Sequence, residues 1–158
     1  MKKFLAIVVL GLLLVGCTTV KPTGGLYKET ALETGKSKII VLRKGGSLIS
    51  ADIPKIKISN SKEDFYSTHY LPSKSYIQIE ADPGSYNIYV GAAPTLVWRF
   101  DPFEVDVNVR KNETIFLELK TWSIGYVSKA TIEVVADKGY ASNKLKSLQR
   151  TLSTDAVQ

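Results

Sequence analysis

The amino-acid sequence predicts a mainly β protein, an antiparallel β-sandwich with one C-terminal α-helix. Three observations predict it. From residue 38 to residue 136, apolar and polar residues alternate in short runs. Clusters of Gly, Pro, Asn, Asp and Ser separate those runs at spacings near ten residues. The apolar period changes from two to a helical spacing only after residue 137.

Ile39, Ile40, Val41, Leu42 and Arg43 form a continuous β-branched and apolar run, as in a strand buried on both faces. Lys44, Gly45, Gly46 and Ser47 are turn chemistry. Over residues 53–59, Ile56 and Ile58 point one way and Lys55 and Lys57 the other. A polar turn at 60–64 leads into a weaker strand at 65–71, where His69 is expected on the solvent face between Thr68 and Tyr70. Residues 75–81 alternate with Ile77 and Ile79 inward. Asp82, Pro83, Gly84 and Ser85 then predict a tight turn, with Gly84 left-handed, into a partner strand at 86–90, so that 75–90 reads as a hairpin. Residues 96–100 are a short apolar strand. Phe103, Val105, Val107 and Val109 share a core face, with Glu104, Asp106 and Asn108 on the wet side. After a turn at 111–113, Ile115, Leu117 and Leu119 point inward, and 123–136 continues as one or two strands. Ala141, Leu145, Leu148 and Leu152 then fall on one helix face over 137–153, with Asp137 or Ser142 as the cap and Lys144, Lys146 and Arg150 suiting the C-terminal end of the dipole.

The first residues are of another kind. Met1, Lys2 and Lys3 are a short cationic start, and residues 4–15 are an apolar run too short to span a bilayer, which needs about 20 residues. It ends in Leu14, Val15, Gly16 and Cys17, which resemble the lipobox of a bacterial lipoprotein. The resemblance implies cleavage after Gly16 and lipidation of Cys17, the chain's one cysteine. A lone thiol in an exported chain has no internal disulfide partner, and lipidation explains it. Two or three acyl chains make a stable anchor where one alone is marginal. Thr18, where an Asp would favour inner-membrane retention, implies the outer membrane with the body in the periplasm, or the outer face of the cell membrane in a host with one membrane. The organisation expected is thus a signal peptide at 1–16, a lipidated cysteine and flexible tether at 17–36, the sandwich at 37–136 and the helix at 137–153. Nineteen or so flexible residues reach roughly 24 Å, although Leu26, Tyr27 and Leu32 offer apolar side chains with which part of the tether would dock. The formal charge of +6 falls to +4 once Lys2 and Lys3 leave. That mild excess, scattered along the chain, argues against nucleic acid as a partner.

The succession of Ile39–Arg43, the Ile-rich strand after Pro54, Pro83-Gly84-Ser85-Tyr86, Val105-Asp106-Val107 and the strand at 114–119 resembles a family of small bacterial lipoproteins catalogued as a domain of unknown function. The resemblance covers residues 37–150. It implies a transthyretin-like or immunoglobulin-like sandwich and supplies no catalytic residues.

Little chemistry is on offer. A hydrolytic triad would have to use His69, the single histidine, with Ser67 or Ser73 and Asp64 or Asp82, and no nucleophile-elbow motif accompanies it. One histidine and one lipidated cysteine do not make a zinc site, and neither a metal nor another cofactor is expected. Glu104 and Asp106 lie on one face of one strand, a spacing that serves glycosidase chemistry or simply keeps a sheet wet; calcium ligation with Asp101 has no loop pattern behind it. The aromatics are more telling. Trp98, Arg99, Tyr66, Tyr70 and Trp122 are residue types enriched at binding hot spots. The expectation is a non-catalytic envelope lipoprotein whose sandwich binds another envelope protein or the cell-wall glycan. An accessory subunit of a secretion or pilus apparatus is the alternative, and an envelope hydrolase a remote one.

Overall fold

The computed structural model describes residues 24–45, 53–60, 65–91, 101–124 and 127–151, with only the backbone at 65–66, 123–124 and 127–128. These residues form nine strands and one helix: β1 (Ser37–Arg43), β2 (Lys55–Asn60), β3 (Phe65–Tyr70), β4 (Ser75–Ala81), β5 (Gly84–Gly91), β6 (Phe103–Val109), β7 (Thr114–Ile124), β8 (Val127–Val134), α1 (Lys138–Leu145) and β9 (Gln149–Arg150). Two sheets result, in the orders β8-β7-β1-β4-β9 and β3-β2-β5-β6.

One core lies between the sheets. Ile39, Val41, Ile77 and Leu117 face Ile56, Ile58, Ile88 and Val107 across it. A second cluster lies behind the five-stranded sheet, where Ile40, Leu42, Tyr76 and Phe116 meet Ala141 and Leu145 of α1 and Leu148 beyond it. Every residue of β1 is therefore buried, as its unbroken apolar run predicts.

The sheets are not purely antiparallel. β1 pairs antiparallel with β4 but parallel with β7, Lys38 opposite Thr114 through Leu42 opposite Glu118. β9 also adds parallel to β4. A parallel pair needs a long crossover, and here everything from β2 to β6 supplies it.

The expected hairpin at 75–90 does not form. β4 belongs to one sheet and β5 to the other, so Asp82 and Pro83 turn a corner between sheets. The Tyr86 hydroxyl donates to the Asp82 carbonyl across that corner (2.9 Å). Gly84 does not take the left-handed conformation; Gly35, Lys74 and Asn112 hold the positive φ values among the described residues. A second corner at 110–113, with Asn112 left-handed, carries β6 into β7 and is tied to β1 by Ser37 Oγ donating to the Arg110 carbonyl (2.6 Å).

The helix is shorter than its periodicity suggests. Asp137 caps α1 by accepting from the Tyr140 amide (3.0 Å), but the helix ends at Leu145. Leu148 is still buried, because a tight turn following a helix keeps the same spacing. Gln149 and Arg150 instead satisfy the open edge of β4, with the Thr151 amide donating to the Tyr76 carbonyl (2.8 Å). Leu152, and the strand expected at 96–100, lie outside the described residues.

Of the expected tether, residues 24–36 lie against the body as a strap. The Gly24 amide donates to the Arg150 carbonyl (2.8 Å) and Leu26 bridges Gln149. Tyr27 packs edge-on against Tyr76, ring centroids 5.6 Å apart. Leu26 itself stays exposed. Farther on, buried Lys38 reaches back to the strap, its Nζ donating to Thr30 O (2.8 Å), Thr30 Oγ1 (2.7 Å) and Ala31 O (3.3 Å).

Candidate functional site

His69 does not lie on the solvent face. It is 4 % exposed, because β3 sets Ser67 opposite Ile58 and His69 opposite Ile56, both core residues of β2. The odd-numbered face of β3 is the inner one, as buried Leu71 just beyond it also shows. Ser67 and His69 thus share an inward face. Asp82 is at the other end of the body, its carboxylate held 2.8 Å from Lys36 Nζ. Asp64 lies outside the described residues.

What faces solvent on the four-stranded sheet is a patterned surface. Register places Lys57, Tyr89 and Glu104 in one row, with Thr68 buried at its β3 end, and Ser59, Asn87 and Asp106 in the next, with Tyr70 and Lys55 at the margin. The Lys57 ammonium stands 5.1 Å from the centre of the Tyr89 ring, a cation–π contact. That ring lies over Gly91: a Cβ there would come within 2.7 Å of Tyr89 Cε1 and 2.8 Å of its hydroxyl. A missing side chain thereby seats an aromatic one. Asn87 Nδ2 donates to Glu104 Oε2 (3.1 Å) and Asp106 Oδ1 (3.0 Å), holding the two carboxylates side by side. The surface is thus cationic and aromatic on β2, β3 and β5 and anionic on β6.

The expected binding residues do not form one patch. Tyr70 is half-buried at the margin of this sheet, and Tyr66 lies in the same strand opposite Ser59. Trp122, 39 % exposed, sits in β7 opposite Lys129. It shares the parity of Phe116 and Glu118, and so belongs to the outer face of the other sheet. Trp98 and Arg99 lie outside the described residues, as do Leu14, Val15, Gly16 and Cys17. The contacts that sequence reasoning misses are Lys57 on Tyr89, Asn87 between the carboxylates, and Gly91 beneath the ring. Each depends on strand register, which no local pattern encodes.

Two grooves open among the described residues. One, about 330 Å³, opens between the strap and α1, lined by Tyr27, Thr30, Lys38, Phe116, Lys138 and Ser142. Tyr27 and Tyr76 beside it have phenol pKa values raised above 10.0, chiefly by burial; the Glu29 charge adds to the rise at Tyr27, and Arg150 opposes it at Tyr76. The other, about 350 Å³, opens between β6 and the β7–β8 edge around Val107, Ile115 and Val135. Among the described residues, no group of three or more His, Cys, Asp or Glu side chains is placed to hold a metal ion, and no helix is long and apolar enough to cross a membrane.

Comparison with family models, with curated proteins and with solved structures finds no match for this chain.

Proposed function

We propose that this chain is a non-catalytic bacterial envelope lipoprotein, anchored through Cys17. Its body binds another envelope protein or the cell-wall glycan with the outer face of the four-stranded sheet. The observation that carries the reading is the half-exposed Tyr89 ring seated over Gly91 under Lys57. A rigid, half-exposed aromatic beside a cation is the chemistry of a hot spot, and it stacks equally well on a sugar face. The adjacent pair Glu104 and Asp106 gives a partner a charge gradient to orient by. The lipobox residues Leu14, Val15, Gly16 and Cys17 support the anchor, and Thr18 the outer membrane with the body in the periplasm. The fold is of the transthyretin-like or immunoglobulin-like kind. The hydroxyl of Tyr86 bonding back to the carbonyl of Asp82 supports it, since a corner tyrosine of this kind recurs in immunoglobulin-like domains.

The test is crosslinking in cells, purification of the lipidated protein in detergent, and mass spectrometry of what accompanies it. Tyr89→Ala and Gly91→Val should each abolish the crosslinked partner while leaving the urea midpoint nearly unchanged, because the ring they disturb lies on the surface. If both variants capture the partner as the unaltered chain does, the sheet face is not the contact surface. A protein at near-equal stoichiometry makes the chain an assembly subunit; muropeptide fragments on the purified protein make it a glycan binder.

A further inference from the structure

We propose that two copies of this chain join edge to edge through β8, antiparallel about a two-fold axis at Thr131, so that two five-stranded sheets become one continuous sheet. The contact is a sheet edge, and it is independent of the sheet face proposed above to bind an envelope partner.

The edge is open and the core beneath it is thinly covered. β8 ends its sheet, with β7 on one side. The Val135 amide, one residue beyond β8, donates to the carbonyl of Phe116, its opposite number in the same register (2.8 Å). Antiparallel alternation then turns the backbone groups of odd-numbered β8 residues to β7 and those of Ala130, Ile132 and Val134 outward. On this side of the sandwich, Phe103 and Val105 of β6, Ile115 of β7 and Ala130 of β8 pack on the inter-sheet core yet stay half-buried. Val134 is 60 % exposed. Another strand beside β8 would bond the outward groups and cover part of that apolar margin.

Charge selects both the occupant and the register. Symmetry about Thr131 sets Lys129 opposite Glu133 of the second copy, and Glu133 opposite its Lys129, all exposed on the outer face. The same register sets Ala130 opposite Ile132, so the outward backbone groups bond. Moving the axis to Ala130 or Ile132 loses both charge pairs. Glu133 already holds Lys120 through Oε2 (2.6 Å). A carboxylate accepts at two oxygens, so a second lysine joins that pair without displacing the first. The other edges are not self-complementary. β6 set against itself about Glu104, Val105 or Asp106 brings carboxylate to carboxylate. β3 has no Lys, Arg, Asp or Glu to fix a register, and at β9 the strap bridges Gln149. An isologous contact of this kind closes at two copies. The axis stands normal to the sheet, so both copies turn their Lys57–Tyr89 faces the same way. The contact has eight residues a side, against about 20–30 for a standard interface, and is weak enough to need covalent trapping.

The experiment is cysteine crosslinking of the full-length protein in cells that produce it. Peptide mass spectrometry assigns each bond and tells it from any formed at Cys17. Non-hydrogen-bonded partners in an antiparallel pair have Cα atoms about 4.5 Å apart, within disulfide range. Thr131→Cys should therefore crosslink to its own copy under mild oxidation. Positions 129 and 133 each lie four residues off register from themselves, about 13 Å across the axis. Lys129→Cys and Glu133→Cys should thus fail to crosslink alone and should crosslink when the two variants are produced together. With Thr131→Cys present, Lys129→Glu should slow the bond roughly tenfold by making both charge pairs repulsive, and adding Glu133→Lys should restore it. Thr131→Cys copies that stay monomeric, or bond only to a different protein, overturn the proposal. So does self-crosslinking of Lys129→Cys or Asp106→Cys as fast as that of Thr131→Cys, the mark of random collision. An unchanged rate after Lys129→Glu overturns it as well.

Discussion

Replacing Lys38 by Met should release the strap and leave the two-sheet core standing. Lys38 is 4 % exposed, and its ammonium holds the strap through Thr30 O, Thr30 Oγ1 and Ala31 O. Methionine keeps the length of the buried stem and removes the charge. Hydrogen bonds to a charged group contribute about 1.5–3 kcal/mol each. The strap oxygens are near enough to solvent to be rehydrated, and the lysine regains its own hydration cost, so the net loss is about 2 kcal/mol rather than the sum. At tenfold per 1.4 kcal/mol, that opens the strap about 30-fold more often. Amide hydrogen exchange reads it residue by residue. The amides of Gly24 and Gly35, bonded to Arg150 O and Asn112 Oδ1, should exchange about 30-fold faster, and those of Ile40 and Val41 nearly as before. Unchanged strap amides would refute the reasoning. So would equal acceleration of strap and β1, which would mean that strap and core open as one unit.

Other perturbations have equally definite outcomes. Arg43 is buried, donating to the Leu71 carbonyl (3.1 Å) and Thr121 Oγ1 (3.2 Å); Arg43→Met should cost about 3 kcal/mol and lower the Tm by about 10 °C in a thermal scan. Asp137→Ala removes the cap of α1 and should cost about 1 kcal/mol in urea unfolding. Because the folded pKa values of Tyr27 and Tyr76 are raised, the folded state holds their protons more tightly than the unfolded chain does. Their contribution to stability is therefore intact below pH 10 and declines as pH rises through the folded values. The urea midpoint should fall with pH above 10, and Tyr27→Phe with Tyr76→Phe should flatten that fall.

Much of the fold was legible because burial is written locally. The run from Ile39 to Leu42 has no polar face, and it became the central strand. The alternation from Phe103 to Val109 gave β6 its bounds and its inner face. Non-local choices were less legible. Asp82 and Pro83 are the same turn chemistry whether the chain folds back on its own sheet or crosses to the other. Leu145 and Leu148 are three apart on a helix and also on the turn that ends one. His69 followed Phe65 and Leu71 in parity, but two serines and a threonine around it blurred the alternation. For the candidate surface, Tyr70 and Trp122 were visible as residue types, while the faces that separate them follow from register. Tyr89 gained its setting from Gly91, two positions away on the same face, and from Lys57, some thirty residues away in sequence.

The parallel pairing of β1 with β7 also governs how the molecule is made. Lys38 meets Thr114 across more than seventy residues of intervening chain, the kind of long-range closure that slows folding. Until β4 and β7 arrive, Ile39 to Leu42 is an uncharged apolar ribbon with both hydrogen-bonding edges open, a template for pairing with other copies. A chain delivered from its N-terminus thus presents its most adhesive segment first and shields it last. Yield and solubility should therefore depend on how quickly β7 joins β1, more than on any contact in the finished structure.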